Sequence, residues 1–260
     1  MISSVQNPKI KRIRLLQTQS RSRKKELAFI IEGVRLLEEA LNTYQIPELV
    51  IYTPDLDPRG KKLVEEFLKQ KVPCEEVSGE VIKAASDTET PQGILAVLPL
   101  KPLLLPAEAD FLMIADEIRD PGNLGTLLRT AQAAGADGFL LSPGTVDPFS
   151  PKVVRAGMGV HFQLPIISCS WEKIRQVTDG LTIFGADMEG GSRIWDADLS
   201  LPLALIIGGE ARGPGKYSRD LADSWIHIPM NDGSESLNAA AAGAVLMFEV
   251  HRQRTQETQL

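Results

Sequence analysis

The sequence is poor in the residues that mark a metal centre, a secreted scaffold or a membrane span. Its only two cysteines, Cys74 and Cys169, lie far apart in the chain; that is no disulfide framework and points to a reducing, cytoplasmic setting. The three histidines, His161, His227 and His251, have no ligand spacing with one another or with cysteine, so no metal is expected. No run of about 18 apolar residues is present, which argues against a membrane partner. The segment Met1–Pro8 lacks the apolar stretch of a signal peptide. Neither a Gly-x-Gly-x-x-Gly dinucleotide fingerprint nor a Gly-Lys-Ser/Thr phosphate loop occurs.

What is there is a soluble globular composition, 43% hydrophobic and 24% charged, in a length comfortable for two domains. The net charge of -6 by itself argues against nucleic acid. Its distribution argues the other way. Residues 1–25 carry Lys9, Lys11, Arg12, Arg14, Arg21, Arg23, Lys24 and Lys25 and no acid. Such a patch either contacts phosphates or forms a solvated helix face.

Ile10, Ile13 and Leu16 recur at helical spacing, which predicts a basic amphipathic helix over Lys9–Gln17. Short apolar runs then alternate with helical stretches. Strands are expected at 29–31, 49–52, 75–77 and 93–98, and helices at 34–41, 60–71 and 81–86. Together they make a small α/β domain over residues 1–99. Pro99, Pro102 and Pro106 mark a linker over 100–108. A second α/β series fills 109–260, with strands expected at 111–115, 138–141, 181–184, 203–207 and 225–228. This alternation favours a mostly parallel sheet covered on both faces.

Ligands of such a sheet collect at the carboxyl ends of its strands, and three of those ends stand out. Asp116 to Gly125 follows the first strand; Pro121 and Gly122 force a turn, and Asn123 is a good helix cap. Arg129, further along the same helix, leans back toward that loop. Gly208 to Gly215 places four glycines in eight residues, letting backbone approach a ligand closely. Ile228-Pro229-Met230 leads through Ser236-Leu237-Asn238 to Ala239–Gly243, where Ser236 could cap the last helix. Alanines and Gly243 would let other backbone come close, while Leu237, Val245 and Phe248 supply larger apolar contacts, a pattern that core packing also explains. Each segment alone is equally well an ordinary capped helix, a tight turn or good packing.

Together and in this order the three resemble the motifs of the SpoU/TrmH family of SPOUT methyltransferases. Asp120-Pro121-x-Asn123-x-Gly125 with Arg129 is similar to the first, Gly208-x-Glu210 with Gly213 to the second, and Ile228-Pro229-Met230 with Ser236-Leu237-Asn238 to the third. Phe29–Gly33 and the helix after it resemble the substrate-binding domain often attached to these enzymes, which has the fold of small ribosomal RNA-binding proteins. The chain departs from the family at Gly157, where serine is usual, at Ala211, and at Ala239-Ala240.

The resemblance implies a C-terminal α/β/α domain with a deep trefoil knot, a homodimer through that domain, and S-adenosylmethionine as methyl donor. The reaction it implies is methylation of a ribose 2′-hydroxyl in RNA, ribosomal RNA ahead of transfer RNA. An RNA-binding assembly factor that keeps the fold without turnover is the competing reading. By the same analogy Gly208, Ile228, Met230 and Leu237 hold the donor. Arg129, Asn123, Glu210, Ser236 and Asn238 form the catalytic set, and the eight basic residues of the N-terminus contact RNA.

Overall fold

The structure is a computed structural model of the chain and describes residues 1–188, 190–209, 213–231 and 236–257. The fold divides into two compact units, one of residues 1–101 with 149–162 and the other of 102–148 with 163–260.

In the first unit, α1 (Pro8–Thr18) begins on a proline with Asn7 capping it, and α2 (Ser20–Glu26) follows. Then come β1 (Ala28–Glu32), α3 (Val34–Asn42), β2 (Leu49–Tyr52), α4 (Pro58–Lys69), β3 (Cys74–Glu76), α5 (Gly79–Ala85) and β4 (Ile94–Pro99). The sheet runs β1-β4-β2-β3, with β4 antiparallel to both neighbours and β3 parallel to β2. Strand alternation feeds two apolar layers. Phe29 and Ile31 face Leu37 of α3 and Phe67 of α4. Ala28 and Ile30 face Ile10 and Ile13 of α1 and Val81 of α5. Truncating Phe67, which is wholly buried, would cost about 3–5 kcal/mol.

The segment 149–162 belongs to this unit by its packing. Val154, on α7 (Pro151–Gly157), and Phe162 join the Phe29 layer. Arg155 pairs with Asp87 at 3.0 Å. Gly157 faces the His161 ring, and a Cβ there would lie 2.9 Å from Cε1. A side chain at 157 would therefore require that ring to shift.

The second unit contains β5 (Phe111–Asp116), α6 (Pro121–Ala133), β6 (Gly138–Leu141), β7 (Ile166–Ser168), α8 (Trp171–Val177) and β8 (Thr182–Ala186). β9 (Ser192–Arg193), β10 (Leu203–Gly208), α9 (Lys216–Leu221), β11 (Ser224–His227) and α10 (Ala239–Glu257) complete it. Its seven strands run β7-β6-β5-β10-β8-β11-β9, every pairing parallel. All carboxyl ends therefore share one edge. Ile174 of α8 and Leu221 of α9 cover the face that presents Ile114 and Ile206. The next residue of β10, Ile207, points the other way, toward Gly243 of α10.

Three expectations about the last helix and its neighbour need correction. Leu237, Val245 and Phe248 are not core contacts: they are 41%, 41% and 47% exposed, and the buried stripe of α10 is Leu246, Met247 and Val250. The notch at Gly243 admits a side chain, Leu127 Cδ2 of α6, rather than backbone. The helix caps are also displaced along the chain. Asp120, not Asn123, caps α6 by accepting from Asn123 N at 2.8 Å. Asn238, not Ser236, caps α10, accepting from Ala240 N at 2.9 Å and Ala241 N at 3.2 Å.

Candidate active site

The shift in capping explains how the first and third segments meet. Asp120 satisfies the exposed N–H at the start of α6, so the Asn123 side chain is released from that duty. Its Oδ1 instead accepts from Asn238 Nδ2 at 2.9 Å. Asn238 thus uses its oxygen to cap α10 and its nitrogen to hold α6, a division that its side-chain amide allows.

Arg129 is exposed, and its guanidinium has no hydrogen-bond or ion-pair partner among the described residues. It stands one turn beyond Gly125 and two beyond Gly122, so glycines leave the helix surface in front of it bare. Asn123 lies roughly 120° around the helix from it. The two side chains can therefore flank a ligand rather than bond each other.

A cavity of about 390 Å³ opens at the carboxyl edge beside β10, β8 and β11. Gly208, Ile228, Met230 and Leu237 all line it, and so does Ser236. Sequence reading missed other parts of the wall: Ala186–Met188 after β8, Ile207 and Ile226 on the strands, and Ala239, Ala242 and Leu246 on α10. The position of 186–188 immediately after a parallel strand was the available signal.

Glycine is required where the wall is tightest. A Cβ on Gly208 would overlap Gly213 and Pro214, and one on Gly209 would sit 2.6 Å from the Glu117 carbonyl oxygen. The walls combine aliphatic side chains with bare backbone edges, and the volume suits a nucleoside-sized molecule. Asp187 at the rim is already engaged, accepting from Arg219 at 2.8 Å. Among the described residues no cluster of three or more His, Cys, Asp or Glu could hold a metal. Glu210 and Ala211 lie outside the described residues.

The basic N-terminal residues divide into three groups. Arg23 is corrected as an RNA contact: it is 4% exposed, and its guanidinium donates to the carbonyls of Leu16 at 2.6 Å and Gln17 at 3.1 Å. It closes the corner between α1 and α2. Lys9 pairs with Glu75, and Arg12 with Glu26 and Glu48 at 2.6 and 2.7 Å. Burial works against the charge on Arg12, but hydrogen bonds to those two carboxylates raise its pKa above the usual value. Lys11, Arg14, Arg21, Lys24 and Lys25 remain exposed, with no ion pair among the described residues.

Comparison with known proteins agrees with this layout. Residues 7–96 match the MRM3-like substrate binding domain, and residues 110–248 match the SpoU rRNA Methylase family. The chain is 32% identical to the 23S rRNA (guanosine(2553)-2′-O)-methyltransferase RlmP of Bacillus subtilis, over 96% of this chain and 98% of that one. It is also 32% identical to human mitochondrial rRNA methyltransferase 3, over 89% of this chain and 69% of that protein. A crystal structure of an AdoMet-bound rRNA methyltransferase from Sinorhizobium meliloti superposes with a TM-score of 0.84 at 31% identity, over 96% of this chain and 97% of the other. With more than half its length inside the family model and a full-length relative above 30% identity, the chain belongs to the SpoU rRNA methylase family.

Proposed function

We propose that the protein transfers a methyl group from S-adenosylmethionine to a ribose 2′-hydroxyl of ribosomal RNA. The observation that carries this reading is the meeting of three segments at one sheet edge. Gly208, Gly209, Gly213 and Pro214 line the cavity together with Ile228, Met230, Ser236 and Leu237, and the Asn123–Asn238 pair ties α6, whose Arg129 has no partner among the described residues, to the helix that closes it.

Gly208, Ile228, Met230 and Leu237 would hold the donor, the aliphatic walls taking its apolar parts and the bare backbone its polar edge. When bound, the donor supplies a methyl group already activated on a sulfonium centre, so the protein's task is to position and deprotonate the hydroxyl. Arginine, with a pKa above about 12, is a poor base. Arg129 therefore acts as a clamp on the hydroxyl and its adjacent phosphate, where its planar fork can bond two oxygens at once, and the proton of the hydroxyl leaves to that phosphate or to another acceptor beside it. Asn123, Asn238, Ser236 and Glu210 orient the RNA and the clamp.

The same reading includes a knotted second unit, a cytoplasmic location and a homodimer, the last supported by the exposed Val245 and Phe248 on α10. No helix among the described residues is long and apolar enough to cross a membrane. RNA delivery falls to the first unit, with Lys11, Arg14, Arg21, Lys24 and Lys25 as its phosphate contacts.

The test is mapping of 2′-O-methyl sites in ribosomal and transfer RNA with and without the gene, complemented by wild type or Arg129→Lys. One ribosomal site should vanish on deletion, return with wild type, and return at no more than about a tenth of the rate with lysine. A transfer-RNA site lost instead would move the substrate. Donor binding with no site lost would make the protein a non-catalytic assembly factor.

A further inference from the structure

We propose that Asp116 is the positioning residue that pre-forms the donor-binding wall, a role that rests on the reading of the cavity as the S-adenosylmethionine site. Asp116 is the last residue of β5 and is only 4% exposed. A buried carboxylate is costly unless donors surround it. Here the donors are neutral: Ser218 Oγ at 2.6 Å and Gly215 N at 2.7 Å reach Oδ2, and Ser142 Oγ at 3.3 Å reaches Oδ1. No cation pairs with it among the described residues.

Where those donors sit gives the carboxylate its meaning. Gly215 is the cap of α9 and directly follows Gly213 and Pro214, two residues of the cavity wall. Gly213 N also donates to Gly209 O at 2.9 Å. Ser218, 0% exposed, anchors the first turn of α9 to the same carboxylate oxygen. A glycine-rich loop has more freedom to lose than any other on binding. At Gly215 and the wall residues just before it, Asp116 removes that freedom before the donor arrives.

The other oxygen reaches the loop between β5 and α6. Ser142 Oγ, bonded to Asp116, accepts from Glu117 N at 3.1 Å. Glu117 holds the left-handed backbone, with φ at 54°, which is strained for a residue bearing a side chain. Its carbonyl oxygen in turn packs over Gly209. One carboxylate thus fixes the donor wall directly, and through Ser142 it fixes the turn that leads to Asp120 and Asn123.

Calorimetric titration of the full-length protein with S-adenosylmethionine tests this, using Asp116→Ala, Asp116→Asn, Ser218→Ala and, as a control elsewhere on the sheet, Leu140→Ala. Asp116→Ala should raise the donor Kd at least tenfold and Ser218→Ala three- to fivefold. Asp116→Asn should stay within threefold, because its amide oxygen still accepts from Gly215 N and its amide nitrogen can donate to Ser142. Leu140→Ala should lower the melting temperature and leave the donor Kd in place. A folded Asp116→Ala protein with wild-type Kd overturns the proposal, as does Leu140→Ala weakening the donor equally. If Asp116→Ala fails to fold, an unchanged Kd in Ser218→Ala overturns it. A wild-type protein with no donor affinity would overturn the cavity reading and this proposal together, and the wild-type titration alone identifies that case.

Discussion

Replacing Asn238 separates its two structural jobs. Asn238→Ala removes the cap on Ala240 N and Ala241 N and the bond to Asn123 Oδ1. Loss of a cap costs about 1 kcal/mol, and an exposed amide bond adds about 0.5–1 kcal/mol. At roughly 2–4 °C per kcal/mol for a chain of this size, melting should fall by about 3–8 °C. Asn238→Asp restores the cap acceptor and places a negative charge at the N-terminus of α10, which is favourable by about 0.3–1 kcal/mol. Its melting temperature should match or exceed wild type. Its second oxygen, however, meets the Asn123 oxygen, acceptor against acceptor, so Asn123 must turn its amide over to keep the tie and loses its present orientation. The assay is methyl transfer from labelled donor to ribosomal RNA prepared from a strain lacking the gene. A drop in kcat/KM of tenfold or more is expected for both variants, about 1.4 kcal/mol in transition-state terms. A cycle with Asn123→Ala should show strong coupling, the double variant being little worse than either single one. Full activity in Asn238→Asp, or strictly additive effects in the cycle, would refute the amide pair as part of the site.

Arg23→Met should destabilise the first unit by about 1.5–3 kcal/mol in chemical denaturation without changing RNA affinity, whereas Lys24→Ala with Lys25→Ala should weaken RNA binding and leave stability alone; the reverse pattern would restore Arg23 as an RNA contact. If the protein is the proposed homodimer, Phe248→Asp should convert it to monomer in analytical ultracentrifugation, and an unchanged dimer would place the interface elsewhere. Burial pushes the Cys74 thiol up to about 11, so only ~0.1% would be thiolate at pH 8. Its alkylation should therefore be slow at pH 8 and accelerate about tenfold per pH unit until the pKa is reached; fast labelling at neutral pH would refute that burial.

Most strands were legible because parallel strands buried on both faces read as short apolar runs. Gly138–Leu141 is recovered without a shift, and Phe111–Asp116 and Leu203–Gly208 to within one residue at the carboxyl end. The short edge strands Ile166–Ser168 and Ser192–Arg193 were not, since they carry too few apolar residues to stand out. The placement of Phe149–Phe162 was also beyond reach. Its pattern says only that Val154 and Phe162 are apolar, and nothing local says that the layer they enter is that of Phe29.

The site shows the same division between local and non-local information. Gly208, Ile228, Met230 and Leu237 could be picked out by motif, and they do line one cavity. The caps could not be assigned, because Asp120 and Asn123, or Ser236 and Asn238, are equally good cap residues by type. The choice is made by what else each side chain must bond. Asn238 caps because its nitrogen has Asn123 to reach, and Asn123 is available because Asp120 lies three residues earlier. Asp116 was hidden more deeply still: an aspartate at a strand end reads as an ordinary loop acid, and its partners Gly215 and Ser218 lie about a hundred residues away. A motif therefore locates residues that line the cavity, while the bonds that join its walls are set by pairings between segments. In a sheet whose neighbours β5 and β10 are so distant in sequence, such pairings become readable only once the strand order is known.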